Sequence, residues 1–405
     1  MGRKNNGIIL YLWYKGRKIM TFEYEFEKQK NDMIGIVQRE NNHKRNYLFV
    51  NRFQAKHIPV SPSKALKLFQ KLGEKVYCDY KNKKTTMIGF AETATAIAST
   101  VAIHSPDDVY YIHTSREILP SKHSVVEFKE EHSHATQQIL YCKKVEEMLF
   151  QAEKILFIED EITTGKTILN FIEALQKKGI YADFGACSIV NSMDKQHRDV
   201  FHEKNISLYA LLNWNESISD KLFLDNTIVN EKMKRELPSS VHYMTLYTTV
   251  NPRLGCSAKE YQMCCMHLAE QIYNIVCSNT IKSILILGTE ECMYPAILTG
   301  EYIEKKGICK TVKTHSTTRS PIVPRVQQQY PIFNRISFES LYEKGRKTYL
   351  YNLENYDIVI IVTDAQNYNK TGEQQLLQSL KSYGNETVTI INWRYQRKHL
   401  IKNKM

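Results

Sequence analysis

The chain has 405 residues, of which 42% are hydrophobic and 24% charged, and a formal net charge of +12. That is the composition of a soluble globular protein of two to three domains. Its basic balance suits a polyanion, whether nucleic acid or a multiply phosphorylated small substrate. Nine cysteines lie scattered along the chain with no CxxC pair. This excludes a disulfide framework and points to free thiols in a reducing cytoplasm. Cys256, Cys264, Cys265 and His267 fit no common zinc spacing and read as core residues of a helix. No apolar run approaches the ~18 residues of a membrane span. Ile8 to Tyr14 is apolar with basic flanks, but it is short for a signal peptide and lacks a small-residue cleavage site. It reads as a strand, or as an extension before a second candidate start at Met20.

Residues 1–40 form an irregular N-terminal extension in which Phe22 to Phe26 has the alternation of an edge strand. Tyr47 to Val50 reads as a strand. A helix capped by Ser63 follows, with Leu66, Leu68, Phe69 and Leu72 inside and Gly73 as its stop. Met87 to Thr95 is a strand and loop leading into a small-residue helix. Gly89, Ala91 and Ala94 leave room for a ligand near the backbone, or simply for close packing of the helix on a sheet. Val109 to Glu117 is a strand with a polar end. There Arg116 offers a planar fork to phosphate oxygens, or pairs with Glu117 at the surface. Residues 118–136 are weakly periodic and contain Glu130-Glu131-His132-Ser133-His134. The two histidines read as a solvated loop, or as contacts to substrate or metal.

Residues 155 to 167 organise the chain. Ile155-Leu156-Phe157-Ile158 suits a buried parallel strand. Glu159, Asp160 and Glu161 follow, then Ile162 and the turn Thr163-Thr164-Gly165-Lys166-Thr167. Helical spacing begins at Ile168 and stops at Gly179. Loop N–H groups and a helix N-terminus form an anion site, and the carboxylates beside it suit ribose hydroxyls or magnesium. A Walker A loop would need glycine at position 160, where Asp160 stands.

This stretch resembles the phosphoribosyl-diphosphate (PRPP) motif of type I phosphoribosyltransferases, with Glu161 in place of the usual apolar residue. Strands at Phe184 to Val190 and Ile206 to Leu212 complete an α/β alternation with a mostly parallel, Rossmann-type sheet over residues 41–215. Its active edge is expected at the carboxyl ends of the strands. Residues 216–250 read as a linker that breaks at Pro238-Ser239-Ser240, and a second α/β domain fills 251–405. Ser257 to Val276 is an amphipathic helix. Three places in the second domain repeat the first: Gly89 and Gly288, Arg116 and Arg319, and Asp160 and Asp364 are 199, 203 and 204 residues apart. Near-constant offsets suggest a degenerate duplicate. Ala365-Gln366-Asn367 replaces the threonine-rich loop, so this half is not expected to bind PRPP in the same way. Glu290, Glu291, Thr318, Arg319, Ser320 and Asp364 mark a second candidate cleft, or a salt-bridged core edge.

Taken together, the two halves resemble the phosphoribosyltransferase family of bacterial tellurite-resistance-type biosynthetic gene clusters, orotate phosphoribosyltransferase-like at greater distance. Gly89-Phe90-Ala91-Glu92-Thr93-Ala94-Thr95 and Glu130 to Ala135 carry the likeness in the first half. Thr318-Arg319-Ser320-Pro321 resembles the motif that names the TRSP domain fused to that family. The resemblance implies transfer of a 5-phosphoribosyl group from PRPP, with Mg2+, to an unidentified small-molecule acceptor, releasing pyrophosphate in synthesis of a nucleotide-like metabolite. It implies ribose-diol binding by Glu159 and Asp160, and a 5-phosphate cradle at Thr163, Thr164, Gly165, Lys166 and Thr167. Arg116 and the backbone at Ala91, Glu92 and Thr93 are implied at the pyrophosphate. Residues 118–136 would be a mobile flap, no metal ligand is assigned, and a homodimer is among the assemblies it allows. The alternative is a PRPP- or nucleotide-sensing regulator with the same fold and no chemistry. The absence of a lysine/arginine stripe interleaved with aromatics argues against nucleic acid, and the basic end, Arg394 to Lys404, reads as solvated.

Overall fold

In the computed structural model, residues 13–14, 17–18, 30–40, 45–117, 124–129, 137–141, 143–216, 218, 235–277 and 281–396 are described. The flap residues 130–136, the alternating run 22–26 and most of the basic end lie outside them.

A hairpin of β1 (Ile34–Gln38) and β2 (Tyr47–Asn51) precedes the first half. That half runs α1 (Pro62–Tyr80), β3 (Thr85–Gly89), α2 (Thr95–Ile103), β4 (Tyr110–His113), a hairpin of β5 (Ser124–Lys129) and β6 (Gln137–Tyr141), then α3 (Lys143–Gln151). It continues with β7 (Lys154–Ile162), α4 (Lys166–Lys177), β8 (Asp183–Asn191), α5 (Lys195–Glu203) and β9 (Ser207–Asn213). The second half runs β10 (Ser240–Thr248), β11 (Cys256–Ser257), α6 (Ala258–Val276), β12 (Ser283–Gly288), α7 (Met293–Lys306) and β13 (Thr311–Ser316). A hairpin of β14 (Arg335–Glu339) and β15 (Lys347–Tyr351) follows, then β16 (Ile358–Thr363), α8 (Lys370–Ser382) and β17 (Thr387–Tyr395).

The first sheet has the order β9-β8-β7-β3-β4-β11 and the second β10-β17-β16-β12-β13. All their strand pairs are parallel except β11 on β4. Ile155 to Ile158 and Ile284 to Leu287 are fully buried, as strands covered on both faces require. The order β8-β7-β3-β4 recurs as β17-β16-β12-β13, each with a hairpin before its third strand in the chain. The fold is duplicated. The outer strand differs: β9 follows its half in sequence, while β10 precedes its own. Residues 240–248, expected in a linker, are therefore the edge of the second sheet.

The halves share one hydrophobic core, in which Leu66, Phe69 and Ala98 join Leu268, Tyr294, Ala296 and Ile360. Helix α1 packs on α7, and α2 on α6 and α7. A Cβ at Gly300 would lie 2.7 Å from Pro62, so glycine there admits the start of α1. Strand contacts cross in both directions. Val60, before α1, bridges Thr314 of β13; Cys256, before α6, pairs with Tyr111 of β4. Such mutual exchange is the pattern of a two-fold interface, here within one chain.

Helix α1 does not stop at Gly73. It continues because Val76 and Tyr80 extend its buried stripe, which outweighs the ~1 kcal/mol that an interior glycine costs. Its N-cap is Ser61, with Pro62 in the first turn, and not Ser63. The β1–β2 hairpin, whose first strand falls in the expected irregular extension, is held by the second half: Glu40 N donates to Pro321 O at 2.8 Å, and Val37 and Val50 pack with Ile322 and Tyr351. Among the described residues, no helix is long and apolar enough to cross a membrane.

Candidate active site

Strand β7 lies between β8 and β3, with Ile158 level with Gly89 and Glu159 level with Ser188. Its carboxyl end delivers Asp160 and Glu161 to the sheet edge. The turn then reverses at Gly165, whose φ is 69°. A Cβ there would sit 2.4 Å from Phe201 and 2.6 Å from Met193, so both conformation and space demand glycine. Helix α4 starts at once; its N-cap, Gly165, has no side chain to cap it, and Thr164 Oγ1 makes a long 3.4 Å contact to Lys166 N. Its first turn lies beside the half-buried Thr163, Thr164 and Thr167, and Lys166 is exposed. This is the geometry of an anion cradle.

Across from the turn, the loop after β3 runs from Phe90 to Ala94. A Cβ on Gly89 would meet the Ala98 methyl at 2.5 Å, so α2 returns tightly over the strand end. Thr114 Oγ1 accepts from Ala91 N at 2.9 Å, and Gln54 Nε2 donates to Thr93 O at 2.9 Å. Thr93 Oγ1 donates to Asp160 Oδ1 at 3.0 Å, which ties loop to acid. Burial raises the Asp160 pKa, and neighbouring Glu161 adds to this. Among the described residues no lysine or arginine pairs with Asp160.

Glu161, the departure from the usual motif, is fastened twice. Arg45 Nη2 donates to its Oε1 at 2.7 Å and Ser192 Oγ at 2.6 Å. Arg45 also lies over the Tyr47 ring at 4.4 Å, so the β2 hairpin is anchored to the acidic strand end. Sequence reasoning missed Arg45 and Ser192. The one available signal was a charged residue at an apolar motif position.

Glu92 lies in the same loop but turns away from Asp160. Its carboxylate takes Lys56 Nζ at 3.0 Å, the Thr318 hydroxyl at 2.8 Å and Arg319 N at 2.8 Å. Burial alone would raise its pKa, but Lys56, Arg319 and Arg116 outweigh that and hold it at about 2. The Glu92 side chain is therefore used between the halves, because three donors converge on it there, and only the backbone of residues 91–93, the part expected at the pyrophosphate, is left to the loop. Arg116 N donates to Glu291 Oε1 at 3.1 Å, which places Arg116 at the same junction. Of the expected residues, the strand ends bring Ala91, Thr93 and Asp160 beside the turn Thr163 to Thr167. Glu159 is on the strand before them.

The second-half candidates also converge, as one ion-pair network. Glu291 pairs with Arg253 Nε at 2.7 Å and accepts from Ser115 Oγ at 3.1 Å. Arg253 also binds Asp364, whose Oδ1 accepts from Tyr342 OH at 2.7 Å. Glu290 takes Arg319 Nε and Arg346 Nη2, each at 2.8 Å, and the Ser340 hydroxyl. Ser320 contributes its N–H to Thr318 Oγ1 at 3.1 Å, inside the turn. Glu117 is half-buried beside these acids; desolvation raises its pKa to about 8, with Glu291 and Asp364 adding to it against Arg253.

Residues 33–218 match the family described as phosphoribosyl transferase, and residues 250–380 match the TRSP domain, described as C-terminal to that family. Among curated proteins none matches the chain. Solved structures similar to it include adenine phosphoribosyl transferase from Trypanosoma brucei, with 12% identity and a TM-score of 0.37 over 49% of this chain and 84% of that one. Another is APRTase from Giardia lamblia, with 12% identity and a TM-score of 0.35 over 47% and 98%. A third is orotate phosphoribosyltransferase from Aeropyrum pernix, with 14% identity and a TM-score of 0.31 over 48% and 93%. The two matched segments span most of the chain in the family's own order, and the chain belongs to the phosphoribosyl transferase family with a TRSP domain behind it.

Proposed function

We propose that the first half transfers the 5-phosphoribosyl group of PRPP to a small-molecule acceptor and releases pyrophosphate. The observation that carries this is Asp160, held by Thr93 beside a helix N-terminus whose N-cap is the left-handed Gly165. The 5-phosphate would lie on the turn Thr163 to Thr167, where N–H groups and hydroxyls donate to it. Asp160, with Glu159 beside it in the chain, would accept from the ribose hydroxyls and hold C1 toward the loop Ala91 to Thr93. The C1–O bond breaks with its electron pair leaving on the diphosphate, and the acceptor's nucleophilic atom bonds to C1. Charge develops on both fragments, so fixed donors and carboxylates stabilise this step more than the ground state.

Among the described residues, no group of three or more His, Cys, Asp or Glu converges as a protein metal cage. The donor set at Asp160 fits Mg2+, which takes one or two carboxylates, keeps waters and draws its other oxygens from phosphates. Bound there, Mg2+ would supply positive charge to the departing diphosphate.

Calorimetric titration with Mg-PRPP tests the reading. Wild type should bind, and Asp160→Asn should lose at least about tenfold in affinity, the loss of a charged hydrogen-bond acceptor. Pyrophosphate release then screens acceptors. An absence of heat with wild type would remove the donor assignment. Binding without pyrophosphate release for any acceptor would favour a PRPP-sensing protein.

A further inference from the structure

The duplicated halves can be matched residue by residue through bonds that recur. Ala91 N donates to Thr114 Oγ1 at 2.9 Å, and Glu290 N to Thr317 Oγ1 at 3.0 Å. Thr114 N donates to Gly89 O at 2.9 Å, and Thr317 N to Gly288 O at 3.0 Å. Ala91 thus corresponds to Glu290, Glu92 to Glu291, and Ser115-Arg116 to Thr318-Arg319. Asp160 and Asp364 end equivalent strands.

Three differences close the second site. Where the first half has the methyl of Ala91, the second has the Glu290 carboxylate, which already takes Arg319, Arg346 and Ser340. Asp364 is neutralised by Arg253 and accepts from Tyr342, while Asp160 accepts from Thr93. Helix α8 is capped by Asn369, whose side chain accepts from Thr371 N at 3.1 Å; the N-cap of α4 is Gly165, which has no side chain, and Thr164 Oγ1 makes only a long 3.4 Å contact to Lys166 N. In the second half, the chain's own side chains satisfy the donors that would otherwise meet a phosphoribosyl ligand.

The matched residues also cross over. Glu92 is held by the Thr318 hydroxyl and Arg319 N of the second half, and Glu291 by the Ser115 hydroxyl and Arg116 N of the first. Each half therefore fixes the loop after the other's first strand. Only the first-half loop, through Thr93, touches a strand-end acid with no lysine or arginine paired to it among the described residues.

We infer that the second half is a built-in partner subunit: it binds no phosphoribosyl donor and instead positions the Ala91–Thr93 loop of the first half through Thr318 and Arg319. This rests on the PRPP reading of the first half and assigns the TRSP half its task. Thr318 is a positioning residue, acting through Glu92 on a loop whose next residue, Thr93, holds Asp160.

The test is calorimetric titration of the full chain with Mg-PRPP, for wild type, Thr318→Val and Thr318→Ser. One equivalent per chain is expected. Thr318→Val should weaken binding roughly tenfold to a hundredfold, as loss of a supporting hydrogen bond around a ligand site does, with the stoichiometry unchanged. Thr318→Ser keeps the hydroxyl and should bind like wild type, which a purely steric role for threonine would not give. Two equivalents per chain would overturn the filled second site and leave the first-half reading intact. Wild-type affinity in a folded Thr318→Val would overturn the positioning role. If Thr318→Val fails to fold, the stoichiometry and Thr318→Ser still decide. A wild type that binds no PRPP would fail differently, by removing the donor reading on which the inference stands.

Discussion

Arg45 Nη2 lies 2.7 Å from Glu161 Oε1, which joins the N-terminal hairpin to the acidic end of the central strand. Both side chains are largely buried, at 24% and 13% exposure. Breaking such a pair leaves a desolvated charge behind. Arg45→Met should lower the unfolding free energy by about 1–3 kcal/mol. A double-mutant cycle with Glu161→Gln, read by urea unfolding, should show a coupling of similar sign. Additive effects would mean that the contact contributes nothing of its own.

Asp160→Asn separates stability from binding. A carboxyl whose pKa is raised by folding adds stability below its unfolded value, and that contribution disappears as pH rises through the folded value. Above that folded value the ionised Asp160 is therefore a cost, set by burial and by Glu161. The amide can still accept from Thr93. The ligand-free variant should melt at a temperature equal to or above wild type while losing PRPP. A clearly lower melting temperature would show that Asp160 supports the fold.

The junction between the halves should give stability two pH arms. Glu92 and Glu291 sit at about 2, below their ordinary 4.5, so their contributions are present above pH 4.5 and are lost as pH falls towards 2. Glu117 has the opposite sign. Its value of about 8 lies above 4.5, so its contribution is full below pH 4.5 and is lost as pH rises through 8. Urea midpoints measured from pH 3 to pH 9 should fall at both ends. Glu117→Gln should flatten the alkaline arm and leave the acid arm in place; an unchanged alkaline arm would assign it to other groups.

Gly165→Ala tests the phosphate turn. A residue with a Cβ at φ 69°, pressed on Phe201, costs about 1–3 kcal/mol and must shift either the turn or the ring. Melting temperature should fall and PRPP affinity with it. A variant that loses stability but keeps affinity would place the 5-phosphate elsewhere.

Much of the fold was legible because the strands are simple. Ile155 to Ile158 and Ile284 to Leu287 are unbroken apolar runs, and the near-constant offsets between Gly89 and Gly288, Arg116 and Arg319, and Asp160 and Asp364 exposed the duplication. The missed features depend on tertiary partners. Strand β10 is half-polar and reads as loop until β17 pairs with it. Gly73 looked like a stop because the pull of buried Val76 and Tyr80 is not local. Glu92 was legible only as a backbone position in the loop after a strand. Which way its side chain turns is set by Lys56 and Thr318, far away in the chain.

The crossed hydrogen bonds at Glu92 and Glu291 have one more consequence. When two separate polypeptides complete each other in this way, dilution takes the site apart, and its output depends on how much protein is present. Here residues 92 and 318 belong to one polypeptide, so the encounter is intramolecular and its effective concentration is fixed by the fold. Output per molecule should stay constant from nanomolar samples upward. The fusion also means that a substitution in one half has no copy in the other, which leaves the two halves free to specialise.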